Sequence, residues 1–171
     1  MSDSKPHSDP LGPVRALLPI KPRYVAAIFS GEKKYEFRRV IFSRPVDIVV
    51  VYATAPVRQV VGEFDVLAII CAPPQSLWER TRHCAGVDED AFFGYFRGRQ
   101  TGYAIQIGQV RQYAEPFCPI KRFGVKPPQS FLYLTPGQEP SGERRPPASS
   151  NGVGAPEDSG ICGTAGMPFS Q

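Results

Sequence analysis

The stretch SGEKKYEFRR, from Ser30 to Arg39, is the densest polar cluster between the first and last apolar runs of the chain. At the two-residue period of a strand, Tyr35 and Phe37 point one way and Lys34, Glu36 and Arg38 the other. A carboxylate then lies between two cations, which would hold Glu36 ionised and aim Arg38 at an anion. A guanidinium is a planar fork suited to phosphate or to a base edge. The competing reading is an edge strand that carries charge to discourage aggregation. The pattern by itself leaves both open.

The elements around this cluster follow from periodicity. Leu17 to Ile20 fits a first strand. Pro22 opens a helix carrying Val25, Ile28 and Phe29 on one stripe, and Gly31 caps it. Asp47 to Ala53 reads as a continuous buried strand, Thr54-Ala55-Pro56 as a turn, and Val57 to Ile70 as a long strand. Gly62 in its middle marks a bulge or bend of the kind that curls a sheet. Pro73 and Pro74 open a helix with Leu77, Trp78 and Thr81. Asp88 caps a second one bearing Phe92, Phe93, Tyr95 and Phe96, whose phenylalanines read as core. Gly102 to Val110 alternates again, and Phe131 to Leu134 is a last strand. The sum is an α+β fold, a small, mostly antiparallel, barrel-like sheet with short helices inserted.

Composition sets the limits of this domain. The chain has 171 residues, 42% apolar and 21% charged, which excludes wholesale disorder. From Pro136 to Gln171, Pro, Gly and Ser make up 18 of 36 residues, and residues 1–13 are similar, so both are expected to be disordered segments flanking a domain at 14–135. That domain holds 17 Lys and Arg against 10 Asp and Glu, the charge balance of a protein that meets phosphates. The four Cys, at 71, 84, 118 and 162, form no C-x-x-C pair, so no metal site and no cofactor are expected, and the thiols read as reduced. No apolar run approaches the roughly 20 residues of a membrane span. A soluble cytoplasmic protein is the expectation. His83 offers a general acid or base, although a surface histidine is the plainer reading. Cys84 beside it reads as structural. Tyr35, Tyr52 and Trp78 are the aromatics considered for base stacking, each with packing as its alternative.

The order GEKKYEFRR after a short helix, YATAPV before a strand with a central GEF, and a closing PPQSFLYL resembles the ASCH domain of the PUA-like superfamily, over about Leu17 to Leu134. The family's G-x-K-x-x-E-x-R pattern falls on Gly31, Lys33, Glu36 and Arg38. Its cleft-lining turn resembles Thr54 to Pro56, and its closing polar pair Gln129-Ser130. The resemblance implies a small β-barrel whose cleft accepts RNA or a modified nucleotide, with Lys33, Glu36, Arg38, Arg39, Thr54, Gln129 and Ser130 as ligand-binding residues. The alternative is a small hydrolase acting on an acylated nucleoside or a ribonuclease acting on RNA. Proteins similar to this family that deacetylate acetylcytidine use a Lys and a Thr; Lys33 matches, but Glu36 stands where the hydroxyl would be. An enzyme would then rest on Lys33, Glu36 and Thr54. Binding leads, and catalysis stays open.

Overall fold

The computed structural model describes residues 12–138, so the terminal segments expected at 1–13 and 136–171 lie almost entirely outside the described residues. Six strands, β1 (Arg15–Ile20), β2 (Tyr35–Arg38), β3 (Ile48–Ala53), β4 (Gln59–Ala72), β5 (Gly102–Phe117) and β6 (Leu132–Leu134), form one sheet. Among the described residues four short α-helices are interspersed: α1 (Pro22–Ser30), α2 (Pro74–Thr81), α3 (Glu89–Tyr95) and α4 (Pro119–Phe123). The strand order is β2-β5-β4-β3-β1-β6; β1 and β3 run parallel and every other neighbouring pair is antiparallel. The fold is α+β with a mixed, mostly antiparallel sheet. No ladder joins the edge strands β2 and β6, so strand pairing leaves the sheet open. Its two edges are linked by a side chain instead. Arg38, at the end of β2, donates from Nη2 to the Ser130 carbonyl just before β6 (2.5 Å) and from Nη1 to the Pro19 carbonyl in β1 (3.2 Å).

The apolar run of β3 is explained by its central place. Val49, Val51 and Ala53 join the main core with Val25 and Ile28 of α1, while Val50 and Tyr52 pack on the opposite face with Tyr113, Phe123 and Leu134. A strand buried on both faces needs no polar alternation. A third cluster joins Phe37 to Leu77 and Trp78 of α2, Phe92 of α3 and Phe96 just past its end, so the phenylalanines expected in the core at 92 and 96 are there. Among the described residues no helix is long and apolar enough to cross a membrane.

Gly62 sits where the β3–β4 register shifts, Val51 pairing with Gly62 and Tyr52 with Val60. A Cβ there would stand 2.5 Å from the Arg111 carbonyl and 2.7 Å from the Phe29 ring. The glycine serves both the bulge and the close approach of α1. Gly62→Ala is expected to lose about 1–3 kcal/mol by overpacking, read as a lower urea midpoint with an unchanged slope.

Two features were not visible in the residue pattern. β5 continues seven residues past Val110, and α4 follows it, opened by Pro119 and closed by Gly124 at φ 70°. The extension carries Arg111 and Tyr113 to Glu63 on β4. Glu63 is 2% exposed; it accepts from Arg15 Nη1 (2.7 Å), Arg111 Nε (2.7 Å) and Tyr113 Oη (2.8 Å). Burial alone would push this carboxyl up, but the hydrogen bonds from Arg111 and Tyr113 and the charges of Arg15 and Arg111 bring it below the ordinary carboxylate range. A depressed folded value means that stability from Glu63 is complete above about pH 4.5 and is lost as pH falls through the lower folded value. Glu63→Gln leaves Arg15 without its charged partner, while Arg111 keeps Asp65, and is expected to lower stability at pH 7. Thermal unfolding between pH 3 and 7 should show a shallower acid dependence in the variant than in the parent. Equal slopes would mean that Glu63 titrates alike in the folded and unfolded chains.

Candidate functional site

The site begins where α1 ends. Gly31 closes the helix in the left-handed conformation (φ 84°), with its N–H on the Ile28 carbonyl. The chain then folds back, and the Lys33 N–H bonds to the Ala27 carbonyl while the Lys34 N–H bonds to that of Cys84, each at 2.9 Å. This return places Lys33 beneath the segment 84–86. Gly86 (φ 61°) makes that contact possible, since a Cβ there would lie 2.4 Å from the Lys33 Cβ.

The Lys33 side chain is 2% exposed and runs between the rings of Tyr24 and Phe37, with Nζ 5.2 and 4.6 Å from their centroids. Nζ donates to the Ala85 carbonyl at 2.9 Å and stands 3.9 Å from Glu36 Oε2. Glu36, 6% exposed, has its other oxygen 3.9 Å from Arg38 Nη1. At that separation neither contact to Glu36 is a hydrogen bond. Burial therefore dominates both groups. It lowers the Lys33 amine, against the pull of Glu36, and raises the Glu36 carboxyl, against the pulls of Lys33 and Arg38. This corrects the expectation that flanking cations hold Glu36 ionised: the cations are near but unbonded, and the loss of water outweighs them. It also corrects the partner. Lys34 is exposed, because the chain turns before β2 begins and turns Lys33 inward instead.

These groups line a cleft of about 410 Å³, with Phe37 and Arg38 beside them, Arg23 and Tyr24 from α1, and Tyr95 from α3. The sequence-derived residues divide here. Lys33, Glu36 and Arg38 are brought together. Arg39 is exposed at the margin, its Nε donating to the Tyr95 carbonyl and its guanidinium 4.6 Å above the Tyr95 ring. Ser130 meets Arg38 through its carbonyl, and Gln129 beside it is exposed. Thr54 does not line the cleft; its N–H bonds to the carbonyl of Ile20, which does. His83 lines a neighbouring hollow.

None of the three aromatics considered for stacking lines the cleft. Trp78 is buried in the third cluster with Tyr35 against it, and Tyr52 belongs to the cluster on the far face of β3. The cleft is lined by Phe37 and Phe92 of the third cluster and by Tyr24 and Tyr95, the tyrosines each with an arginine over the ring, Arg23 at 4.5 Å and Arg39 at 4.6 Å. The residue pattern singles out neither tyrosine: Tyr24 stands beside the stripe of Val25, Ile28 and Phe29, and Tyr95 among the phenylalanines of α3. The adjacent Arg23-Tyr24 pair was the available signal.

No model of a known protein family matches the chain. A 109-residue stretch is 31% identical to part of a Ureaplasma parvum protein named ATP synthase subunit alpha, of whose length it spans 14%. A protein of Zymomonas mobilis named ASCH domain-containing ribonuclease is 32% identical over 127 residues, covering 70% of this chain and 83% of that protein. The crystal structure of ASCH from Zymomonas mobilis superposes with a TM-score of 0.67 at 29% identity, over 72% of this chain and 90% of that one. Shared sequence and shared architecture thus extend across nearly the whole described domain, and the chain belongs to the ASCH domain family.

Proposed function

We propose that the cleft binds single-stranded RNA and cleaves it, with Lys33 as proton acceptor and Glu36 as proton donor. The observation that carries this reading is the amine of Lys33, buried at a cleft and held back from its full charge by the loss of water. An amine lowered by burial is uncharged more often than a free lysine and can act as a base, and a carboxyl pushed upward is able to give a proton. Lys33 takes the proton of a ribose 2′-hydroxyl, whose oxygen attacks the adjacent phosphorus. The 5′-oxygen departs with a proton from Glu36, leaving a 2′,3′-cyclic phosphate and a 5′-hydroxyl. Arg23 and Arg38 offset phosphate charge, and Tyr24 and Tyr95 offer π-faces for a base, worth about 1–3 kcal/mol per stacked base. The relative named a ribonuclease supports the same reading.

The size of the cleft favours a second reading, hydrolysis of an acylated nucleoside, because about 410 Å³ suits a single small molecule. Against it stand Glu36 in place of the expected Thr and the position of Thr54 outside the cleft lining. Incubation with end-labelled single-stranded RNA and, separately, with acetylcytidine decides between them. Shortened RNA with cyclic phosphate ends and intact acetylcytidine is the expected result. Deacetylation with intact RNA would establish the second reading and overturn the first.

A further inference from the structure

Beside the cleft lies a second, more open hollow of about 470 Å³, lined by Arg23, Tyr24, Glu32, Arg82, His83 and Val87 among others. Arg23, Tyr24 and Val87 line both spaces, so the two form one trough divided by a ridge. The ridge is a built feature. The Arg23 guanidinium lies 4.5 Å above the Tyr24 ring and donates from Nη2 to Tyr24 Oη at 2.6 Å. From the segment 84–87, Val87 faces both spaces, and the segment is fixed by the bonds of Lys34 N–H to the Cys84 carbonyl and of Lys33 Nζ to that of Ala85. Arg82 is exposed on the far side, and its side chain makes no hydrogen bond or ion pair among the described residues. Of the two carboxylates there, Asp88 is engaged on the Ala91 N–H at the start of α3, and Glu32 is exposed.

We propose that this hollow is a second nucleotide subsite, so that the ligand is an RNA strand crossing the Arg23–Tyr24 ridge and not a lone nucleoside. The inference rests on the RNA reading of the cleft. A strand is held by cations along its backbone and by flat side chains on which its bases stack. Arg23 on the ridge and Arg82 beyond it supply the first, Tyr24 and His83 the second. Glu32 supplies an acceptor for an exocyclic amino group. The cleft alone accounts for the reacting groups but leaves the unpaired cation at Arg82 without a role.

The test compares the parent with Arg82→Ala, both checked for an unchanged melting temperature, in binding to uridine 5′-monophosphate and to an uncleavable 2′-fluoro hexamer of uridine nucleotides across a salt series. The parent is expected to bind the hexamer more tightly than the monophosphate. Arg82→Ala should weaken the hexamer only and reduce the slope of log affinity against log salt by about 0.7, the share of one phosphate on a single strand. An unchanged hexamer slope, or equal weakening of both ligands, overturns the second subsite. A parent that binds both ligands equally also overturns it while sparing the cleft reading. A parent that binds neither overturns the RNA reading itself.

Discussion

Lys33→Arg is expected to slow RNA cleavage by about 10²–10⁴-fold, the usual contribution of a positioned proton acceptor, although it keeps the positive charge. A guanidinium does not give up its proton in a protein and so cannot act as a base. The slot between Tyr24 and Phe37 is tight, so Lys33→Met, close in length to the lysine stem, serves as the companion variant. Both should fail in single-turnover cleavage, and Lys33→Arg should still bind the uncleavable hexamer. The parent rate should trace a bell against pH, one limb set by loss of the Lys33 proton, which burial brings below its ordinary 10.5, and the other by loss of the Glu36 proton, which burial brings above its ordinary 4.5. If Lys33→Arg cleaves at the parent rate, the lysine acts by charge alone.

Gly86→Ala should be the most damaging single methyl group in the domain. Its Cβ would meet the Lys33 Cβ at 2.4 Å and its Cγ at 2.8 Å, from a backbone at φ 61°. Overpacking of this kind costs about 1–3 kcal/mol, and a left-handed non-glycine residue adds roughly 1–2 kcal/mol. Neither side can yield easily, since Lys33 is held by its own N–H and by Ala85. Gly94→Ala is the matched control. It lies within α3, nothing stands within 4 Å of the new methyl, and the exchange should gain about 0.5–1 kcal/mol. Urea midpoints should therefore move in opposite directions, and cleavage should fall only in Gly86→Ala. Parallel shifts would show that the segment 84–87 does not press on Lys33.

What the residue pattern revealed, and what it hid, follows from the range of the forces involved. Gly31 as a helix cap, Gly62 as a bulge and Asp88 as an N-cap are local devices, and each is found where the sequence places it. The convergence of Lys33, Glu36 and Arg38 was legible through the spacing shared with the family. The sign of their titration was not, because it depends on burial supplied by α3 and the segment 84–87, some fifty residues downstream. The same holds for Glu63, whose partners Arg111 and Tyr113 lie 48 and 50 residues away. α4 escaped notice because five residues are too few to show a helical period. Nothing in one dimension marks Tyr24 or Tyr95; they share a cleft only because α1 and α3 both line it.

The protonation of Lys33 is the quantity on which the proposed cleavage turns, and it can be observed directly. With lysine labelled at Cε, the resonance missing from Lys33→Arg identifies the site, and its chemical shift can be followed from pH 5 to 11. A midpoint clearly below 10.5 is the expected result, moving upward when the uncleavable hexamer brings phosphate into the cleft. A midpoint at or above 10.5 in the free protein would mean that Glu36 keeps the lysine fully charged, and Lys33 would then be no base at neutral pH.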